Sequence, residues 1–237
     1  MASLVRNAPD LTSLHLNGSL WLTDVGLTHV RAIKRLRCLR LPGCYTLSND
    51  ALCDLGACRS VQHLDLRFTR FEAKGPQRSA CLRDLRTLLL STEMDSESFN
   101  LVLDNFRRLE VLHVVDCSAL TDTDGAKFRL LTCLKELEFD NGVGFTDLTF
   151  AQGLGSPAME KLAIRGSQLT DAGLASIAVH HKHLSALRLR GGHSVADNGL
   201  RAFFLQQPFL CVLSLETDAI AEWSKRRALC ARLRSHS

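Results

Sequence analysis

The sequence predicts an α/β solenoid, an arc with a parallel β-sheet on its concave face and helices on its convex face. Three observations lead there. A pattern of the form L-x-x-L-x-L recurs nine times, beginning at Leu11, Leu36, Val61, Leu85, Leu109, Leu134, Met159, Leu184 and Leu210. The steps between starts are 25, 25, 24, 24, 25, 25, 25 and 26 residues, a near-constant period that marks stacked repeats. The phrase "LTDVGL" at Leu22 returns as "LTDAGL" at Leu169 and as "VADNGL" at Val195, so the stretch between the leucine patterns repeats too.

In chain order, residues 1–10 read as the end of an incomplete repeat. "LVRNAPDL" at 4–11 has the form of a repeat's close, because Pro9 precedes Leu11 as Pro157 precedes Met159 and Pro208 precedes Leu210. Such a start has no evident cap, and apolar surface is expected there unless a partner or further chain covers it. Residues 11–217 form the solenoid. In each L-x-x-L-x-L the last two apolar residues alternate with an outward one, the period of a short strand with one buried face. The chain then turns at a small or polar residue: Ser19, Cys44, Thr69, Glu93, Cys117, Gly142, Ser167, Gly192 and Asp218. Tight turns suit such residues, whose side chains can hydrogen-bond along the stack. Helical spacing follows, as in Leu174, Ile177 and Ala178 or Leu200, Phe203 and Phe204. Thr170 or Asp171 is placed to cap the helix start, and Gly26, Gly173 and Gly199 leave room for a neighbouring repeat. Asp122 and Asp124 are accounted for in the same way, as helix caps. One strand and one helix cannot cover each other, but stacked copies can. Residues 218–237 read as a basic C-terminal capping helix or tail, with Trp223, Leu229 and Leu233 placed to cover the stack and Lys225, Arg226, Arg227, Arg232 and Arg234 in solvent.

"LRCLRLPGCYTLSNDAL" and "LEVLHVVDCSALTDTDGA", with Cys44 and Cys117 at the turn, resemble the cysteine-containing class of leucine-rich repeats. That class is best known from F-box proteins, and the resemblance implies a substrate-recognising arm of a ubiquitin ligase with a ligase adaptor as partner. Two of the nine repeats carry the turn cysteine, and no F-box helical pattern is legible before Leu11.

Composition narrows the function. Nothing among the 237 residues approaches 18 consecutive apolar positions, so no membrane span is expected. The N-terminus lacks the layout of a signal peptide, and nine cysteines without paired spacing read as reduced thiols. An intracellular, cytoplasmic location is expected, with the nucleus open. A net charge of +4 does not by itself imply nucleic acid, and one Tyr and two Trp are few for base stacking. No phosphate loop, nucleophile elbow or metalloprotease motif is present, so no enzymatic activity, cofactor or metal is expected. "HHKH", with His180, His181 and His183, is read as a solvated turn, and Cys53, Cys58 and His63 as core and strand residues rather than zinc ligands.

The remaining candidate is the concave surface, a protein-binding face on this reading. Leu89, Val111 and Val115 form an apolar saddle bordered by His63, Asp65 and His113. Beyond it, Glu136, Glu138 and Asp140 lie beside a basic pair of strands carrying Lys161, Arg165, Arg188 and Arg190. Constant register places Glu136 next to Lys161, Asp140 next to Arg165 and Arg190 next to Glu216, and leaves Arg188 between Ala163 and Ser214 without a lateral partner. A structural subunit of a large assembly is the alternative reading, and RNA binding through the basic strands and tail ranks below it.

Overall fold

The computed structural model describes residues 1–69, 82–151, 154–191 and 194–216. Among these residues nine strands pair in parallel, in sequence order, as one sheet. They are β1 (Ser13–His15), β2 (Cys38–Arg40), β3 (His63–Leu66), β4 (Thr87–Glu93), β5 (Val111–Asp116), β6 (Glu136–Phe139), β7 (Lys161–Arg165), β8 (Ala186–Arg190) and β9 (Val212–Glu216). Each begins two residues after the start of a leucine pattern, so the nine motifs mark the nine strands. Register advances one residue for one residue across the sheet, for example Leu14 to Leu39 to Leu64 to Leu88. The exception is β4 against β5, which shifts between Leu90 and Glu93 so that Glu93 pairs with Asp116.

The convex side carries α1 (Ala2–Asn7), α2 (Asp24–Val30), α3 (Asn49–Cys53), α4 (Ser96–Asn105), α5 (Asp122–Gly125), α6 (Asp147–Ala151), α7 (Asp171–His180) and α8 (Asp197–Leu205). After α3 and α5 the chain tightens into 3₁₀ turns at Asp54–Ala57 and Ala126–Leu130. In α7 the buried side is Gly173, Leu174, Ile177 and Ala178, as the spacing predicts. In α8 Leu200 and Phe203 are buried while Phe204 is half-buried.

Between sheet and helices the leucine columns are fully enclosed, each side chain contributing about 1.5–3 kcal/mol by leaving water. The middle of the arc is aromatic instead. Phe99 meets Phe128 edge-on at 5.0 Å, Phe139 meets Phe145 edge-on at 5.1 Å, and Phe139 stacks over Phe150 at 6.5 Å.

Threonine and aspartate in "LTDxGL" divide the capping work between two repeats. Thr170 caps its own helix, its hydroxyl accepting from the Ala172 N–H at 3.2 Å. The aspartate serves the repeat that follows. Asp24 accepts the Ser48 N–H at 2.9 Å, and Asp171 accepts the Ala196 N–H at 2.7 Å. Asp147 accepts both the Thr170 N–H at 2.8 Å and the Thr170 hydroxyl at 2.5 Å. Asp122 takes four bonds, from the N–H and hydroxyl groups of Thr146 and Thr149. Burial alone would raise the Asp122 carboxyl, but those bonds more than offset it and hold it below the ordinary range. The glycine of the phrase makes room for this reach: a Cβ at Gly173 would overlap the Asp147 carboxylate, and one at Gly199 the Asp171 carboxylate. Asp124 caps within its own repeat, in a box with Thr121.

One expectation is overturned inside the "HHKH" run. His181 is not in a solvated turn but is 1% exposed. It follows α7 directly, at the C-cap, and three residues before the leucine pattern begins. The same position holds Ile33, Cys58, Leu82, Phe106, Leu131 and Ser156 in other repeats, all buried, so the column belongs to the core. The imidazole is satisfied there: Nε2 accepts the Leu154 N–H at 3.0 Å and the Nδ1 hydrogen goes to the Ser156 carbonyl at 3.2 Å. His183 stacks on Phe209 at 5.8 Å.

Candidate functional site

The candidate site is the concave sheet face, built where the outward residues of successive strands stand side by side about 4.8 Å apart. Its first half does not form the saddle expected from alternation. Leu89 points outward yet is only 8% exposed, and Asp65, its neighbour on β3, is 3% exposed. At Asp65 the reason is local charge pairing. Arg67 folds back over Asp65, its Nε and second guanidinium nitrogen donating at 3.0 and 2.8 Å, and Arg40 lies 3.7 Å from the same carboxylate. Asp65 therefore holds two arginines in place and offers no free oxygen to a partner. Crowding on the inside of a curved sheet separates pointing outward from being accessible.

Around them, His63 is exposed and bonds Thr87 at 2.9 Å. Val111 is half-buried, Val115 is 36% exposed, and His113 stands between them on the same strand. Among the described residues the accessible apolar surface of this half is thus Val111 and Val115. Regular register would set Ser91 beside Val115, but the shift in β4 breaks that pairing before it resumes at Glu93 and Asp116.

His113 joins this patch to the charged half. Its Nε2 lies 3.0 Å from Glu136 and its Nδ1 3.7 Å from Glu138. Lys161 donates to Glu136 at 3.0 Å, and Arg165 lies 3.2 Å from both Glu138 and Asp140. The bond from His113, opposed by burial and reinforced by Lys161, holds the Glu136 carboxyl down to about 2. Arg190 pairs with Glu216 at 2.6 Å. Each lateral pair expected from register is present, and Arg188 stands between Ala163 and Ser214. Arg188 is exposed, and among the described residues no ion pair engages it.

Two features escaped sequence reasoning. One is a hollow of about 20 Å³ on this face, lined by Glu136, Glu138, Lys161, Ala163, Ala186 and Arg188. It was legible only as two alanines among large outward neighbours. The other is Phe68, which sits at φ +55° where Gly18, Gly43, Gly166 and Gly191 occupy the same place in other repeats. A bulky residue in that left-handed region is strained, and Phe68 is 54% exposed, so core packing does not explain it. Exposed Leu20, Trp21 and Tyr45 lie on the equivalent turns of the two preceding repeats.

Among the described residues no cluster of three or more His, Cys, Asp or Glu is arranged to hold a metal ion. Cys58 is buried, which pushes its thiol up to about 11. No described helix is long and apolar enough to cross a membrane. The basic segment 218–237 lies outside the described residues.

No protein-family model matches the chain, and no curated protein matches it. Solved structures do. The chain is similar to TLR13 in its complex with ssRNA13, at 20% identity and a TM-score of 0.61, covering 91% of this chain and 30% of that one. It is similar to Rad7 of the yeast Rad7 and Elc1 complex at 18% identity and a TM-score of 0.61, covering 89% and 64% of the two chains. A Bacteroides fragilis protein matches at 16% identity and a TM-score of 0.55, covering 89% and 68%. The chain thus spans about 30% of the TLR13 chain's length. At these identities the likeness is one of fold, and with the nine-stranded parallel sheet it makes this chain a leucine-rich-repeat arc.

Proposed function

We propose that this chain is a non-catalytic recognition arm that binds a protein partner on its concave face, and that it serves as the substrate receptor of an F-box-type ubiquitin ligase. The observation that carries the first part is the shape of that face. Nine strands present one continuous, open surface, and the hollow where β6, β7 and β8 meet is about 20 Å³ among the described residues, whereas small-molecule sites enclose roughly 300–1,000 Å³. A broad surface with a modest apolar patch and a rim of arranged charge suits a macromolecular partner. The ligase role rests on the turn cysteines. Cys44 is buried and donates its thiol hydrogen to the Leu16 carbonyl of the preceding repeat at 3.0 Å, and Cys117 is buried at the same turn. Rad7, one of the similar structures, was solved with a protein, Elc1.

The test is affinity purification from the source cells with mass spectrometry, comparing wild type with a Val111→Lys, Val115→Lys double variant. Leu89 is left alone because burial makes its substitution a stability experiment. The expected result is a ubiquitin-ligase adaptor retained by both chains and a further protein lost in the variant, whose melting temperature is unchanged. Recovery of one constant set of proteins, unaffected by the variant, would replace the recognition arm with an assembly subunit.

A further inference from the structure

The face presents a three-by-two grid of outward side chains where β6, β7 and β8 meet. One row reads Glu136, Lys161, Ala186 and the other Glu138, Ala163, Arg188. The two alanines lie on a diagonal and form the floor of the small hollow, Ala163 being 7% exposed. Lys161 and Arg188 occupy the crossing diagonal. This arrangement differs from the rest of the charged band in one respect. The carboxylates are committed, Glu136 to His113 and Lys161, Glu138 to Arg165 and His113. Among the described residues Arg188 is not, because Ala163 on one side and Ser214 on the other are too short to reach it, and Ala186 precedes it on its own strand.

We propose that this grid is a docking point for an acidic side chain, a glutamate or aspartate of the protein partner, whose carboxylate takes the guanidinium fork of Arg188 while its methylene carbons rest on Ala163 and Ala186. The inference rests on the recognition-arm reading and names the chemistry its partner brings. Charge complementarity selects the occupant. Unused donors on Arg188, and the remaining hydrogens of Lys161, call for an acceptor, and a planar carboxylate matches the guanidinium in a bidentate pair. A basic guest would meet the cations of Lys161 and Arg188 and would compete with His113, Lys161 and Arg165 for Glu136 and Glu138. A phosphate, with close to two charges, would stand beside two carboxylates that a single carboxylate tolerates better. The hollow holds little more than a side-chain tip, so an extended anionic polymer gains one contact here rather than a track.

The experiment uses the whole chain, with nitrogen-15 labelling, and blocked glutamate (N-acetyl-glutamate N-methylamide) as the probe at low ionic strength. The expected result is a saturable shift of the Arg188 side-chain Nε–H and of the Ala163 and Ala186 amides, several-fold larger than at Arg165 or Arg190. Blocked glutamine should leave these signals in place, and blocked phosphoserine should shift them less than glutamate does. In Arg188→Gln the alanine shifts should vanish, and in Arg188→Lys they should weaken. Equal shifts at all three arginines, a preference for phosphoserine, or alanine shifts that survive Arg188→Gln would overturn the proposal. The two readings fail separately. A partner lost by the Val111→Lys, Val115→Lys variant but held at full strength by Arg188→Gln removes the docking point and leaves the recognition arm. A specific shift at Arg188 in a chain that retains no partner in cells does the reverse.

Discussion

Acidification should destabilise this solenoid through His181, and the size of the effect follows from its surroundings. The ring is 1% exposed and makes both of its bonds as the neutral tautomer, accepting from Leu154 and donating to Ser156. Burial dominates, and although the Ser156 bond favours the cation, the net result with His180 nearby is a pKa lowered from 6.5 to about 4. The unfolded chain therefore takes up a proton at a higher pH than the folded chain does. Stability is complete above the unfolded value and falls as pH drops from about 6.5 toward 4, levelling off below it. Between pH 7.5 and 5.5 the unfolded state gains nearly one proton and the folded state almost none, which amounts to about 1.3 kcal/mol. Urea unfolding followed by circular dichroism, on wild type and on His181→Gln at both pH values, isolates this term because the other titrating groups are common to both chains. The advantage of wild type over the variant should shrink by about 1.3 kcal/mol on acidification. An advantage that is independent of pH, or that grows as pH falls, would show that the buried ring does not resist protonation and would refute the argument.

Two further outcomes test the joints and the strained turn. Asp147→Ala removes both acceptors from Thr170 and should lower stability by about 1–2 kcal/mol in the same urea assay, with Asp147→Asn, which keeps one acceptor, falling between. Phe68→Gly relieves a left-handed conformation that costs about 1–2 kcal/mol, less the roughly 0.5–1 kcal/mol of extra freedom that glycine gives the unfolded chain. A rise in melting temperature is expected, and a fall would mean that the half-exposed ring contributes packing that outweighs its strain.

Strand positions were legible because their period is two and their spacing nearly constant, so Glu136 beside Lys161 and Arg190 beside Glu216 followed from counting. Counting assigns a side chain to a face but not to water. Leu89 and Asp65 were assigned correctly to the concave face and yet proved inaccessible; for Asp65 the cause is Arg67 turning back along its own strand, a rotamer choice that no spacing encodes. His181 failed for a different reason. Its polar neighbours suggested solvent, whereas the column three residues ahead of each leucine pattern, read down through Ile33, Leu82, Phe106 and Leu131, marks a core position. The division of labour in "LTDxGL" lay beyond reach because the aspartate's partner sits a whole repeat away. Even so, the glycine that makes room for it was visible as a repeated letter.

That division gives the arc a direction. Four of these aspartates lend their oxygens forward, from Asp24 to Ser48, from Asp122 to Thr146, from Asp147 to Thr170 and from Asp171 to Ala196. Peeling a repeat from the C-terminal side strands a carboxylate that water solvates readily. Peeling one from the N-terminal side strips the next helix start of an acceptor that it cannot supply itself. Fraying from one side is therefore not equivalent to fraying from the other, and a repeat that lacks a capping aspartate of its own, unlike the one closed by Asp124, keeps its seat best where the neighbour before it carries the aspartate and its own glycine leaves the gap.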